Sequence, residues 1–267
     1  MFLYPIITFI FGAVVGSFLN VLILRLPREQ SIGGRSHCNS CKRQLSGADL
    51  VPLFSYLFLR GKCRTCKTKI SPRYFLIEFI TGGLFATAFL IINPTSLIEL
   101  TLLLRTWFIL SVLIMVFVID LEHMLILDNI VFPSTLIVLG TNLLIDFSIG
   151  TKIFSLSSLT GGGLLMAVLI SGCFYLLWFI SRGKWIGFGD VKFMLFLGLA
   201  LAWPMALVSL FIAFVSGGVL GIILLASGKQ KMQSKLPLGT FLSIGMAVTL
   251  LWGLPILDWY LSLIGLR

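Results

Sequence analysis

Residues 107–123 read WFILSVLIMVFVIDLEH, an almost unbroken apolar run that ends in an aspartate, a glutamate and a histidine. About 20 apolar residues in a helix span the roughly 30 Å hydrocarbon core of a bilayer, and this run continues back to residue 97. Of all 267 residues, 58% are hydrophobic and only 11% are charged, which excludes an ordinary soluble domain. The run therefore predicts a transmembrane helix that places acidic side chains at a membrane surface.

The same apolar pattern recurs along the chain. We identify eight apolar segments, at about 2–26, 74–93, 97–119, 129–147, 159–181, 191–203, 205–227 and 237–257. Because runs this long satisfy their backbone groups in lipid as helices, the predicted fold is an all-α polytopic membrane protein with about eight transmembrane helices. Segment 191–203 is only about 20 Å long as a helix. We expect it either to be buried among its neighbours or to be completed by residues 185–190 dipping into the bilayer.

The distribution of charge predicts the orientation of the chain. Its formal net charge is +10, and 11 of the 20 Lys and Arg residues lie between Arg25 and Arg73. Two further basic clusters are Arg182, Lys184 and Lys192, and Lys229, Lys231 and Lys235. With eight spans all of these fall on one side of the membrane, whereas Lys152 and Arg267 fall on the other. Because basic loops stay in the cytoplasm, we predict an external N-terminus, and membrane topology accounts for the basic charge without a nucleic-acid partner.

This topology divides the chain into three predicted parts. Residues 1–26 form the first transmembrane helix, residues 27–73 form a small cytoplasmic insert, and residues 74–267 form a membrane bundle. The first segment is too long for the apolar core of a signal peptide, so we expect it to be retained.

The cytoplasmic insert contains two cysteine pairs, Cys38-x-x-Cys41 and Cys63-x-x-Cys66. Four thiolates in two such pairs suit tetrahedral Zn²⁺, and closed sites with four cysteines are structural. Disulfides are disfavoured in the cytoplasm. The insert is therefore predicted to bind a structural zinc ion, with a redox-active pair as the weaker alternative.

Two aspartates lie at the predicted cytoplasmic ends of apolar segments, where Asp120 follows segment 97–119 and Asp190 precedes segment 191–203. Carboxylates in a membrane are costly and usually face a cavity or a partner. Two carboxylates a few ångström apart cannot both ionise. One keeps a proton, and the other takes a proton from a water that attacks a peptide carbonyl. Asp120 and Asp190 are therefore the predicted catalytic pair of an aspartic protease.

Six neighbouring residues are candidates for a supporting role: Glu122, His123, Asp128, Lys192, Gly187 and Gly189. The two glycines would break a helix just before Asp190, at a position where irregular backbone requires a wet or protein-lined surrounding. Lys192 would either favour the charged form of Asp190 or extend to the surface. Helix N-capping is an alternative for Asp128 and Asp190, and Glu122 and His123 would otherwise be merely interfacial.

Motifs along almost the whole chain resemble those of bacterial type IV prepilin peptidases, which are aspartic membrane proteases of the Gly-x-Gly-Asp type. In chain order the motifs are Gly16-Ser17-Phe18-Leu19-Asn20-Val21, Arg25-Leu26-Pro27, the two cysteine pairs, Pro52-Leu53-Phe54-Ser55-Tyr56-Leu57, Gly61-Lys62-Cys63, Arg73-Tyr74 with Glu78, Ile119-Asp120-Leu121-Glu122-His123 with Asp128, Gly187-Phe188-Gly189-Asp190-Val191-Lys192, and Pro237-Leu238-Gly239. The sequence contains neither a His-Glu-x-x-His helix nor a Gly-x-Ser-x-Gly elbow, which disfavours zinc and serine proteases.

The resemblance implies a concrete activity. The enzyme would remove the basic leader of prepilins or pseudopilins after a glycine, at the cytoplasmic face of the bacterial inner membrane, with Asp120 and Asp190 as the catalytic pair. It would also methylate the new N-terminus with S-adenosylmethionine, an activity that the family links to the cysteine-bearing loop. The sequence has no glycine-rich cofactor fingerprint that would locate the S-adenosylmethionine site.

Two other functional classes explain part of the pattern. A proton- or cation-coupled transporter would use the intramembrane acids to bind ions, and it predicts inverted repeats, which we do not find in the sequence. A membrane-anchored zinc-ribbon adaptor would use the bundle only as a scaffold, and it leaves the acids at the ends of the spans unexplained.

Overall fold

The protein is described by a computed structural model that covers residues 3–38, 40–227 and 236–265. The chain forms two compact units, Met1–Thr95 and Ser96–Arg267. The described residues are almost entirely helical and contain isolated β-bridges but no β-strand. Four of the basic residues on which the predicted orientation rests lie outside the described residues: Lys229, Lys231, Lys235 and Arg267.

The first unit is built on two long helices, α1 (Leu3–Arg25) and α3 (Arg73–Ile92), with the short α2 (Phe54–Phe58) between them in the chain. The long helices approach closely because glycines lie at their contact. A Cβ added to Gly12 would lie 2.9 Å from the Cα of Gly82. The segment between α1 and α3 contains both cysteine pairs, so the insert lies between the first and second membrane helices, as predicted.

The second unit contains the remaining helices of the described chain. They are α4 (Leu97–His123), α5 (Asp128–Ile149), α6 (Leu159–Ser181), α7 (Phe188–Leu201), α8 (Met205–Ala226) and α9 (Leu238–Leu263). Helix α4 packs against α5 and α9, and α7 packs against α5, α6, α8 and α9. Nearly every side chain of α7 beyond its first turn is buried.

Seven of the described helices, all of the long ones, have the length and hydropathy to cross a membrane. The predicted all-α membrane fold is therefore confirmed, and the chain is a multi-pass membrane protein. Helix α7 is the exception, because its 14 residues extend only about 21 Å. Its burial among four neighbouring helices matches the first of the two alternatives that the sequence left open.

The C-terminal end of α7 is held by a buried arginine of α4. Arg105 donates from Nη2 to the carbonyl oxygens of Ala200 (2.8 Å) and Leu199 (3.3 Å), and from Nε to Asn142 Oδ1 (2.8 Å). Asn142 Nδ2 in turn donates to the Leu199 carbonyl at 2.9 Å. The last carbonyls of a helix have no partner within the helix, and leaving them unpaired in an apolar interior is costly. Arg105 and Asn142 therefore allow a short helix to end inside the bundle.

Candidate active site

Asp120 lies in the last turn of α4 and is only 5% exposed. Its Oδ2 accepts hydrogen bonds from the backbone N–H of Thr240 (2.7 Å) and from the Thr240 hydroxyl (3.2 Å). Thr240 is in the first turn of α9, and the free amides and dipole of a helix N-terminus favour a negative charge. Asp120 is therefore fixed in one orientation by the start of another helix.

Asp190 lies in the first turn of α7 and is half-buried. Its Oδ2 accepts a hydrogen bond from the backbone N–H of Gly187 at 3.1 Å. Gly187 is the N-cap residue of α7, so Asp190 caps the helix from its third position and is not itself the N-cap. This bond orients the carboxylate and, within the described part of the chain, uses only one of its oxygens.

The two aspartates are close enough to interact electrostatically. The same Ile126 side chain lies against the glycines next to both sites. A Cβ added to Gly189 would lie 3.0 Å from Ile126 Cβ, and one added to Gly239 would lie 3.1 Å from Ile126 Cδ1. The starts of α7 and α9 therefore converge on the segment that follows α4. This geometry brings together the two carboxylates that the sequence analysis paired.

Gly239 is the tightest point of the arrangement, because a Cβ there would lie 2.9 Å from Asp120 Oδ2. We expect Gly239→Ala to displace the Asp120 carboxylate at a cost of about 1–3 kcal/mol and to lower peptidase activity by at least about tenfold. Gly218→Ala in α8 is the matched control, because no atom lies within 4 Å of the added Cβ. Equal activity of the two variants in a cleavage assay would show that Gly239 is not needed at the site.

Lys192 forms an ion pair with Asp128. Its Nζ lies 2.7 Å and 2.8 Å from the two carboxylate oxygens of Asp128, and it also lies 4.9 Å from the centroid of the Phe188 ring. Asp128 is the first residue of α5, Leu127 occupies the N-cap position, and no side chain caps this helix. The N-cap interpretation of Asp128 is therefore wrong, because the carboxylate is turned toward Lys192 of α7.

Glu122 and His123 lie on the last turn of α4 and are exposed. His123 Nε2 is 4.0 Å from Glu122 Oε2, a distance at the edge of an ion pair. Their exposure contrasts with the burial of Asp120, which lies on the same turn. A supporting role for these two side chains stays a prediction.

The four cysteines of the insert form a cluster in which all Sγ atoms lie within 4.8 Å of one another. The Sγ atoms of Cys38 and Cys66 are 3.8 Å apart, which is close to the spacing of about 3.8 Å that tetrahedral Zn–S bonds of 2.3 Å require. A hydrogen bond with the Thr68 hydroxyl lowers the pKa of the Cys66 thiol to about 6, whereas burial and the neighbouring cysteines raise the pKa of the Cys41 thiol to about 11. Four sulfur atoms at this spacing are the ligand set that a tetrahedral metal ion requires, so the cluster is chemically compatible with a metal ion.

The two cysteine pairs adopt the same local fold. Cys38 N–H donates to the Arg43 carbonyl at 2.9 Å, and Cys63 N–H donates to the Thr68 carbonyl at 2.9 Å. In each pair the lysine directly after the second cysteine, Lys42 or Lys67, has a positive φ of 57°. The repeated geometry forms two knuckles that present their sulfurs to a shared centre.

Asp49 connects these two knuckles. It accepts a hydrogen bond from Arg64 Nε at 2.7 Å and lies 3.5 Å from Arg43 Nη2. Hydrogen bonds from Ser46 and the charge of Arg64 lower the pKa of Asp49. The carboxylate therefore stays charged and holds one arginine from the vicinity of each knuckle.

Three residues with organising roles in the structure were not predicted from the sequence: Thr240, Arg105 and Asp49. Thr240 directly follows the Pro237-Leu238-Gly239 motif, so its place at a helix start was a usable signal. Arg105 was recognisable as a charge inside a span. Asp49 ends a Ser-x-x-Asp capping-box pattern that begins at Ser46, which signals a helix start but not the contacts with the two arginines.

Comparison with known proteins agrees with this site. The model of the bacterial peptidase A24 N-terminal domain matches residues 10–92, and the model of the type IV leader peptidase family matches residues 107–222. The second match contains Asp120 and Asp190, and the first contains all four clustered cysteines. No solved structure matches the chain significantly.

Several relatives are similar over nearly the full length and bear the name prepilin leader peptidase/N-methyltransferase. The Aeromonas hydrophila protein is 31% identical over 97% of this chain and 94% of its own length. The Stutzerimonas stutzeri protein is 32% identical over 95% of this chain and 92% of its own, and the Burkholderia pseudomallei strain 1026b protein is 31% identical over 92% and 84%. With its paired aspartates, its clustered cysteines and this similarity, the chain belongs to the type IV leader peptidase family.

Proposed function

We propose that this chain is a membrane aspartic endopeptidase that removes the basic leader of prepilins or pseudopilins after a glycine. The observation that carries the proposal is the convergence of Asp120 and Asp190 from distant parts of the chain. Asp120 is buried under the start of α9, and Asp190 is half-buried at the start of α7. The names of the full-length relatives supply the substrate class.

The two carboxylates share one proton. Asp120 accepts bonds from both the N–H and the hydroxyl of Thr240, whereas Asp190 accepts one from Gly187. Because hydrogen bonds to a carboxylate favour its charged form, Asp120 begins the reaction ionised and Asp190 holds the proton. Asp120 then takes a proton from water as the oxygen attacks the scissile carbonyl, and Asp190 polarises that carbonyl. When the C–N bond breaks, the protonated Asp190 donates a proton to the leaving amine.

The site faces the cytoplasm of the bacterial inner membrane, and the N-terminus lies outside. The concentration of 11 of the 20 basic residues between Arg25 and Arg73 supports this orientation. A basic leader also stays in the cytoplasm, because basic segments are not moved across the membrane. The junction between the leader and the apolar pilin helix would therefore reach the membrane surface next to the aspartates. The partners of the protein are then a prepilin or pseudopilin and the lipid bilayer.

Leader cleavage by the purified protein tests this function. The full chain in nanodiscs is incubated with a prepilin that has a basic leader ending in glycine, and the products are identified by mass spectrometry. We expect one cut, after the glycine. An intact prepilin, together with proton or cation flux through the protein in liposomes, would instead support a transporter.

The relatives' names also support a second activity, N-methylation of the new N-terminus. S-Adenosylmethionine supplies the methyl group in this proposal. A structural Zn²⁺ held by Cys38, Cys41, Cys63 and Cys66 orders the insert. The clustering of the four sulfur atoms supports the zinc proposal.

Metal analysis of protein purified without oxygen tests the zinc site. We expect about one zinc per chain, with loss of nearly all of it in Cys38→Ser and Cys63→Ser, because each removes one of four thiolates. Cys173→Ser is the matched control, since Cys173 lies in α6 and outside the cluster. Absence of zinc from the anaerobic protein, or equal zinc in all variants, would refute the site.

A further inference from the structure

We propose that a cavity inside the first unit binds S-adenosylmethionine, a location that rests on the proposed methyltransferase activity. The cavity has a volume of about 860 Å³ and is lined by α1, the cysteine-bearing insert and α3. Ligand pockets for small molecules and cofactors have volumes of about 300–1,000 Å³. The cavity is therefore large enough for the cofactor.

An unpaired amide oxygen marks the wall of this cavity. Asn20 of α1 is only 3% exposed and lines the cavity. Its Nδ2 donates to the Tyr74 carbonyl at 3.1 Å, which fixes the orientation of the amide, because a flip would oppose two oxygens. Its Oδ1 has no hydrogen-bond partner among the described residues. A buried acceptor without a partner is costly, and a ligand N–H from the adenine or the ammonium group would satisfy it.

A buried carboxylate lies on the same cavity. Glu78 of α3 is 8% exposed, and its Oε2 accepts a hydrogen bond from the Leu53 backbone N–H at 2.7 Å. The described residues include no cationic side chain in an ion pair with it. A buried carboxylate is stabilised by an opposite charge. The cofactor carries two positive groups, a sulfonium and an ammonium, and either one would pair with Glu78.

An aromatic face and the cysteine cluster complete the wall. Tyr56 lines the cavity, and its ring is held by Phe75 at a centroid distance of 5.5 Å. Adenine stacks on such a ring. Cys38 and Cys63 also line the cavity, so the fold of the two knuckles shapes the binding site. This contact gives the insert a physical link to methylation.

These side chains bind and orient the cofactor. When bound, S-adenosylmethionine supplies a methyl group: the S–CH₃ bond breaks, a C–N bond forms with the free amine of the cleaved pilin, and S-adenosylhomocysteine leaves. The methylated amine then loses the extra proton to solvent. The unprotonated amine is required because its lone pair forms the new bond.

Calorimetric titration of the full-length protein in nanodiscs with S-adenosylmethionine tests the location. We expect Glu78→Gln and Asn20→Ala each to weaken binding by at least about tenfold. Glu78→Gln retains an acceptor for Leu53 but removes the charge. Glu29→Gln is the matched control, because Glu29 is an exposed acid of the same unit outside the cavity. Helix content and zinc content of each variant show whether it is folded.

Photocrosslinking gives a second measurement that does not depend on variants. Ultraviolet irradiation of wild-type protein with radiolabelled S-adenosylmethionine should label a peptide within residues 14–78. Label confined to residues 96–265, or wild-type affinity in both cavity variants, would overturn the proposal. Leader cleavage is measured on the same preparation. Intact cleavage with cofactor bound outside the cavity overturns only this inference, intact cleavage with no cofactor binding also contradicts the proposed methyltransferase activity, and absent cleavage contradicts the peptidase function.

Discussion

Asp120→Asn and Asp190→Asn should each reduce leader cleavage by at least about a thousandfold, because the proposed mechanism requires proton transfer at each position. Asparagine is nearly the same size as aspartate. At position 120 its amide oxygen can still accept the 2.7 Å bond from Thr240 N–H, and at position 190 it can still accept the bond from Gly187. The substitutions therefore remove the titratable group and leave the hydrogen-bonded frame in place.

The control for these variants is Asp258→Asn. Asp258 lies on α9, 18 residues beyond Thr240 and thus about 27 Å along the helix axis. We expect this variant to cleave at the wild-type rate. The initial rate is measured with a labelled prepilin in nanodiscs, with membrane insertion checked by protease protection. Processing within tenfold of wild type in either active-site variant would exclude that aspartate from the chemistry.

Arg105→Met should destabilise the second unit by about 3 kcal/mol and lower leader cleavage by at least tenfold. The guanidinium donates to the Leu199 and Ala200 carbonyls at the end of α7, and a hydrogen bond from a charged donor contributes about 1.5–3 kcal/mol. Methionine fills a similar volume but leaves the Ala200 carbonyl without its donor, and the Leu199 carbonyl keeps only the bond from Asn142. Because Asp190 is carried at the other end of the same short helix, a shift of α7 also misplaces the carboxylate.

Denaturation by a titrated detergent measures the stability of this variant, and the cleavage assay measures its activity. Arg105→Lys should recover part of both, because a lysine ammonium can reach one carbonyl but cannot replace the planar guanidinium. Arg182→Met, at an exposed arginine beyond α6, controls for the general loss of a positive charge. Wild-type stability in Arg105→Met would show that α7 does not depend on this contact.

The helices were predictable from sequence because hydrocarbon requires long apolar runs. The pattern also identified segment 191–203 as too short to span a membrane, and charge counting predicted that Asp120 and Asp190 lie on one side of the membrane. The cysteine spacing predicted a cluster, and the four sulfur atoms do converge. These features depend on local composition or on known ligand geometry, both of which a sequence contains.

Other features depend on contacts between distant residues. The charge of Lys192 is paired with Asp128, 64 positions away, although Asp190 is only two residues from it in sequence. The partner of Asp120 is Thr240, 120 positions away. From its length alone, segment 191–203 could be buried among neighbouring helices or completed by residues 185–190 dipping into the bilayer. Only the contacts of α7 and of Arg105 distinguish these two alternatives. Periodicity and propensity contain no information about such pairings.

In the proposed mechanism Asp120 and Asp190 act as one unit on one water. The most direct test is the single-turnover cleavage rate of Asp120→Asn, Asp190→Asn and the double variant, measured on the same prepilin. When two groups act together, the effects of removing them on the activation free energy are not additive. The double variant should therefore be no slower than the slower single variant. Rate losses that multiply in the double variant would show that the two aspartates act independently and would contradict the proposed pair.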